Sequence, residues 1–352
     1  MSPKSALSQE VDHLKTKLDS VTLPPELKQK TTQMLERLTR MADFTGYSTE
    51  YDRVAHYISW IIELPWDKTT TDRLDLKEAR AILDKHHYGM NEVKERIIEY
   101  LAVMRLTQNR AESDEHTRAP ILCLVGLVGT GKTTFGPSLS EALKRQYARI
   151  PFGGMGSARD LRGQSRLHPD AEPGLVIKAL RRAASRNPII LLDEIDRVTE
   201  QARGDIMGVL VELLDPEQNF QFIDHYLDYP FNLSDVLFVA TANNTRNIAT
   251  AVQDRLEIIQ MPSYTDAEKI TIGKDYVLPH TLKEAGLSAD NLTIDETVWP
   301  KIVRPLGYDA GIRTLERTIE GVARKIAREI VEGKHEHFHL TLENIKHYLP
   351  TY

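Results

Sequence analysis

Residues 121–134 read ILCLVGLVGTGKTT, an apolar run that breaks into glycines and closes on a lysine and two threonines. The run ILCLV shows no alternation of polar and apolar positions, which suits a strand buried on both faces of a parallel sheet. The spacing G-x-x-x-x-G-K-[ST] is met by Gly126, Leu127, Val128, Gly129, Thr130, Gly131, Lys132 and Thr133, and Thr134 leads into a helix-like segment. Between a strand and a helix, such glycines let backbone N–H groups wrap phosphates, the lysine reaches the β and γ oxygens, and the threonine can ligate Mg²⁺. The expected ligands are therefore ATP and Mg²⁺, against the alternative of a glycine turn arising by chance.

Working outward, four more short runs follow: ARIPF, PIILLD, DVLFVAT and LEIIQ, alternating with helical stretches. The pattern predicts an α/β fold, a phosphate-loop core built on a parallel sheet. Before it, from Leu7 to about Arg110, apolar residues recur every three or four positions, with Pro24, Pro25 and Pro65 dividing the segment into separate helices. The polar stretch 111–120, AESDEHTRAP, reads as a linker. After Pro262 helices return, at about 265–285, 295–304, 310–332 and 342–348, with a short HFHL before the last. A small helical lid is expected there.

The run IILLDEID ends in acids 61 residues beyond Lys132. Asp193 suits the Mg²⁺ shell and Glu194 suits orienting and deprotonating a water, a pairing that points to hydrolysis. The plain alternative is a strand ending in solvated acids. Asn243, at the end of VLFVATANN, would face the crevice from a neighbouring strand and could hold the attacking water, although asparagine after a strand also serves as a turn residue. Arg255, just before LEIIQ, and Arg313, opening a helix of the last unit, could each offset charge on a transferring phosphoryl group, or form surface salt bridges.

The run RGD followed by ELLDPEQNFQFIDHYLDYPFNLSDVLFVATAN, with LDLKEARAILDKHHYGM and EYLAVMRL, closely resembles the AAA+ module of Lon-type ATP-dependent proteases from about Ser8 onward. The resemblance implies a helical segment at 1–66, a large α/β ATPase domain at 67–262 and a small helical lid at 263–352. It further implies a homo-oligomeric, hexameric ring with ATP between subunits. Arg255 matches the arginine finger that acts on a neighbour's nucleotide, Arg313 sensor 2, Asn243 sensor 1, and His87, Tyr88 and Gly89 the segment near the adenine. Proteins of this kind unfold polypeptides and thread them to a serine–lysine protease domain; the chain ends at about the point where that domain would follow, so the expectation is an ATPase module without proteolytic residues, working with a separate protease domain.

The Lon pattern also places an aromatic–aliphatic pair in a pore loop, R-G-H-R-R-T-Y-[IV]-G. The segment 162–174, RGQSRLHPDAEPG, aligns without a gap and puts His168 and Pro169 at the pair. In a second loop Ala202 stands where an aromatic or methionine is usual. Leu127 and Val128 replace two prolines of the pattern. Large flat side chains grip arbitrary sequences well, whereas alanine and proline offer little of this. The departures leave a nucleotide-gated scaffold as an alternative to a threading unfoldase. A nucleic-acid motor is a third reading, disfavoured by a net charge of −6.

Composition sets the remaining bounds. No apolar run approaches the ~18 residues of a membrane helix, and the start MSPKSALSQEVDHLKTKLD lacks a secretory or typical mitochondrial presequence. The single cysteine, Cys123, rules out an intrachain disulfide and reads as a small buried hydrophobe, so a reducing compartment is expected, cytoplasm or mitochondrial matrix. The alternating His335, His337 and His339 could grip a metal or simply line a solvated edge. Trp60, Trp66 and Trp299 read as packing anchors.

Overall fold

The computed structural model describes residues 6–44, 48–108, 121–305 and 309–349. The expected linker at 111–120 lies outside them. Seven strands form the central sheet or an insertion within it, in the order β1 (Ile121–Val125), β2 (Tyr147–Pro151), β3 (Ile189–Asp193), then the short β4 (Phe222–Asp224) and β5 (Tyr229–Phe231), then β6 (Leu237–Ala242) and β7 (Leu256–Gln260). The sheet itself runs β2-β3-β6-β1-β7, all parallel, while β4 and β5 make a separate antiparallel hairpin. Every residue of β3 and β6 is buried, as unbroken apolar runs demand of central strands. The edge strand β2 alternates, burying Ala148 and Ile150 and exposing Arg149 and Pro151.

Because the strands are parallel, the turns after β1, β3 and β6 leave from the same edge of the sheet. Gly126, Glu194 and Asn243 are thereby neighbours although far apart in sequence, the first and last joined where Gly126 N–H donates to the carbonyl of Ala242 at 3.2 Å. One sheet face packs on helices including α1 (Ala6–Ser20), α2 (Pro25–Phe44) and α3 (Thr49–Glu63), which share a single apolar core with it. The other face packs on α4 (Leu76–His86), α5 (Asn91–Gln108) and α6 (Phe135–Leu143). Trp60 and Trp299 are buried and Trp66 is half-buried against Phe231, and Cys123 is fully buried.

A third core belongs to the C-terminal unit, where β8 (Leu292–Ile294) pairs in parallel with β9 (Phe338–Leu340) beside the long helix Arg313–Val331. Several helices here are shorter than the sequence predicts. The stretch 265–285 divides into Asp266–Ile272, a π-turn at Gly273–Val277 and Leu278–Glu284. Gly273 lies against Trp299, and Pro279 has no N–H for a continuous ladder. The stretch 295–304 becomes a 3₁₀ turn followed by Trp299–Val303, the long helix starts at Arg313 rather than 310, and the last helix spans only Ile345–Tyr348.

Candidate functional site

A cleft of about 540 Å³ opens between the sheet edge and the C-terminal unit, lined among others by Lys132, Thr133, Asp193, Glu194, Asn243 and Arg313. Lys132 is 7% exposed, and burial pulls its ammonium pKa down against the opposing pull of Asp196, Glu194 and Asp193. Its Nζ donates to the carbonyls of Gly126 (2.7 Å) and Leu127 (2.9 Å) and to Asn243 Oδ1 (3.2 Å). The loop's own backbone thus holds the cation in the cradle. Asn243 N–H donates to Asp196, so the asparagine is fixed from both sides, while its Nδ2 is buried without a partner among the described residues. An orphaned donor there costs free energy unless an acceptor fills the cleft.

Thr133 Oγ1 donates to Asp193 Oδ1 at 3.2 Å, and Thr241 Oγ1 donates to the same oxygen at 2.5 Å. Arg149 Nε reaches Asp193 Oδ2 at 2.8 Å. Glu194 sits in left-handed backbone, φ +58°, with its N–H donated to Thr241 Oγ1 at 2.9 Å. Such conformations in non-glycine residues are strained and gather at functional sites. The oxygen pair Thr133–Asp193 is a hard-cation donor set that suits Mg²⁺, and the lysine, the orphaned amide and the loop N–H groups suit phosphate oxygens.

The C-terminal unit closes on the phosphate loop through backbone. Ile312 N–H donates to the carbonyl of Gly129 at 3.0 Å, Gly129 has φ +82°, and a Cβ on Gly311 would stand 2.5 Å from the Gly129 carbonyl carbon. Arg313 follows directly and lines the cleft. At the opposite wall His87 is stacked on Phe135, centroids 3.7 Å apart, and shares a 2.8 Å hydrogen bond with Ser138; burial lowers its pKa to about 4, so the ring is neutral. Tyr88 lines the cleft with His87, whereas Gly89, at φ +66°, is not among the lining residues.

Arg255 is not among the cleft residues. Its Nη2 pairs with Asp215 at 2.7 Å, holding that carboxyl below its ordinary pKa, and its Nη1 donates to the carbonyl of Ala251. Asp215 is the aspartate of LLDPEQN, so that run braces Arg255.

The loop at 162–174 stands on a narrow base. A Cβ on Gly163 would meet Asp224 at 2.9 Å, one on Gly174 would overlap the Leu161 carbonyl, and the buried Asp224 accepts N–H bonds from Gly174, Tyr226 and Leu227. His168 and Pro169 are exposed at its tip, along a groove shared with α2 and α3, where Arg166 lies 3.9 Å over the Tyr57 ring. Leu167 is 90% exposed, which sequence reasoning missed. Ala202, expected on the second pore loop, is instead buried and precedes the helix Arg203–Leu214, so its side chain packs into the core rather than facing solvent.

Sequence reasoning also missed Tyr264, Thr241 and Arg149 in the site. Only Tyr264 carried a signal, standing just before the Thr265–Glu268 capping box that opens a lid helix. The three histidines divide differently from a metal site: His337 contacts the Asp290 carbonyl, His339 pairs with Asp295 at 2.6 Å, and no metal-ligating cluster occurs among the described residues.

Comparison with known proteins bears on this geometry. The profile of the ATPase family associated with various cellular activities (AAA) matches residues 122–264, and that of the Lon protease AAA+ ATPase lid domain matches 283–338. The chain belongs to the AAA+ ATPases as a Lon-type module. It is 43% identical to the Lon protease of Lawsonia intracellularis over 342 residues, 97% of this chain and 40% of that protein. It is 41% identical to Lon protease 2 of Thermus thermophilus over 346 residues, 97% of this chain and 43% of that protein. The Lon-type module therefore spans about two-fifths of the length of the curated relatives it matches. Among its described residues no helix is long and apolar enough to cross a membrane.

Proposed function

We propose that this Lon-type module hydrolyses Mg·ATP at the interface between neighbouring subunits of a homo-oligomeric, hexameric ring and uses the energy to pull on unfolded polypeptides. The observation that carries the reading is Asn243: its Oδ1 is engaged by Lys132 while its buried Nδ2 has no partner among the described residues. That amide offers a preset donor for a phosphate oxygen or an attacking water.

In this reading the backbone of Gly126–Thr134 and Lys132 cradle the phosphates, and Thr133 with Asp193 holds Mg²⁺. The metal, when bound, neutralises charge on the phosphate oxygens. Glu194 orients the water and accepts its proton, and Asn243 fixes the water's position. Arg313 brings the lid's positive charge to the cleft, while His87, Tyr88 and Gly89 bound the adenine end. Arg255, braced on Asp215 outside its own cleft, serves a neighbour's nucleotide. His168 and Pro169, with Leu167, would meet the polypeptide. The matched relatives are Lon proteases, and we assign the module the same cytoplasmic setting as a bacterial ATPase, paired with a protease domain; nucleic acid is not the favoured substrate.

The test is ATPase rate against protein concentration, with and without a saturating unfolded polypeptide. Specific activity that rises with concentration and again with polypeptide is the expected result. A concentration-independent rate would sink the shared site. A rise with concentration that ignores polypeptide would replace the motor by a nucleotide-gated scaffold.

A further inference from the structure

Asp193 is 3% exposed, and its two oxygens are fully subscribed. Oδ1 accepts from the hydroxyls of Thr241 and Thr133; Oδ2 accepts Arg149 Nε at 2.8 Å and pairs with Arg149 Nη2 at 2.5 Å. Lys132, the cation of the phosphate loop, is committed instead to two carbonyls and Asn243. Arg149 is therefore the cation bonded to this carboxylate among the described residues.

Its setting differs from that of its partner. Arg149 lies opposite Leu191 on the edge strand β2, in the outward half of the alternation, and its side chain is 51% exposed. A carboxylate buried as deeply as Asp193 is costly to leave unpaired, whereas a half-exposed guanidinium loses little by returning to water. Two nitrogens of one guanidinium converge on the single oxygen Oδ2, a charge-assisted contact strong enough to hold by default and, being at the rim, free to open.

We propose that Arg149 is a resident counter-cation that competes with Mg²⁺ for Asp193, and so sets the Mg²⁺ concentration at which the nucleotide site becomes loaded. The inference rests on the proposed use of Thr133 and Asp193 as the metal's ligands. A divalent cation needs the same oxygen lone pairs that the guanidinium occupies, and two cations on one carboxylate repel each other. Arg149 is in this sense a positioning residue: it acts on the metal through Asp193.

The experiment is binding of a fluorescent ADP to the full chain, titrated with Mg²⁺ at fixed nucleotide, for wild type, Arg149→Gln and Arg149→Lys. Arg149→Gln should load at about three- to tenfold lower Mg²⁺ than wild type, the scale of losing one such ion pair. Arg149→Lys, which keeps the charge without the fork, should fall between. Affinity in EDTA should not improve in either variant, which separates competition with the metal from a general effect on nucleotide. A wild type that loads normally beside an Arg149→Gln with an unchanged or higher Mg²⁺ midpoint overturns the inference alone. If Arg149→Gln fails to fold, an Arg149→Lys midpoint equal to that of wild type overturns it. A wild type whose nucleotide binding ignores Mg²⁺ overturns both this inference and the metal site on which it rests.

Discussion

The contact between Gly311 and Gly129 joins the lid to the phosphate loop, and Gly311→Ala tests it. The new Cβ would stand 2.5 Å from the Gly129 carbonyl carbon and 2.6 Å from its Cα and O. Ordinary carbon contacts lie at about 3.5–4.0 Å, so one backbone must retreat by roughly 1 Å. No flexible side chain is present to absorb the shift. Overpacking of this kind costs about 1–3 kcal/mol, and loss of the Ile312 N–H bond to the Gly129 carbonyl adds about 0.5–1.5 kcal/mol. The lid should dock less well by roughly 1.5–4.5 kcal/mol, and because 1.4 kcal/mol is tenfold, ADP affinity should fall by about tenfold or more. Calorimetric titration with ADP reads the affinity, and circular dichroism reads the integrity of the sheet. Gly208→Ala, in the helix Arg203–Leu214 with open space around it, is the control, expected to leave affinity alone and to add up to about 1 kcal/mol of stability. ADP affinity in Gly311→Ala within about threefold of wild type would refute the argument that this contact positions the lid.

Arg255→Ala should lower turnover by about 10³ while nucleotide binding stays within about twofold; mixing it with Glu194→Gln should restore part of the rate, because each supplies what the other lacks across an interface, and no recovery would count against a shared site. His87 is buried with its pKa lowered to about 4 from 6.5, so the unfolded chain binds the extra proton first: the contribution is whole above about pH 6.5 and is lost as pH falls toward 4, amounting to about 3 kcal/mol. Urea unfolding from pH 7 to 4 should show a shallower loss in His87→Phe than in wild type; parallel curves would reject the assignment. Leu167→Ser should weaken polypeptide stimulation of the ATPase by up to about tenfold, the scale of burying one leucine, with the basal rate unchanged; unaltered stimulation would remove Leu167 from the grip.

What the sequence disclosed follows from how local each signal is. The five parallel strands are legible because β1, β3 and β6 are continuous apolar runs, and the phosphate loop is legible because its cradle is made within eight residues. Asp193, Glu194 and Asn243 could be assigned to one sheet edge because parallel strands end together. The brace between Arg255 and Asp215 joins residues 40 apart, and nothing in either neighbourhood announces it. Arg149 is hidden in the same way: in sequence it is the polar half of an alternating edge strand, and only the register of β2 on β3 brings it to Asp193. The exposure of Leu167 and the burial of Ala202 depend on how two turns pack, which periodicity does not encode. The lid helices were overdrawn because a glycine pressed on Trp299 and two prolines interrupt patterns that look continuous in one dimension.

The loop at 162–174 is held by its roots. Gly174 is hydrogen-bonded to one buried carboxylate, Asp224, and Gly163 packs directly against it, while the residues from Leu167 to Asp170 are exposed and take no part in that seam. Such a construction behaves like a tool holder with a changeable bit. Substitutions at the tip leave the mounting undisturbed, so a histidine and a proline can stand where the Lon pattern has an aromatic–aliphatic pair, and grafted tips should be accepted by the same mount.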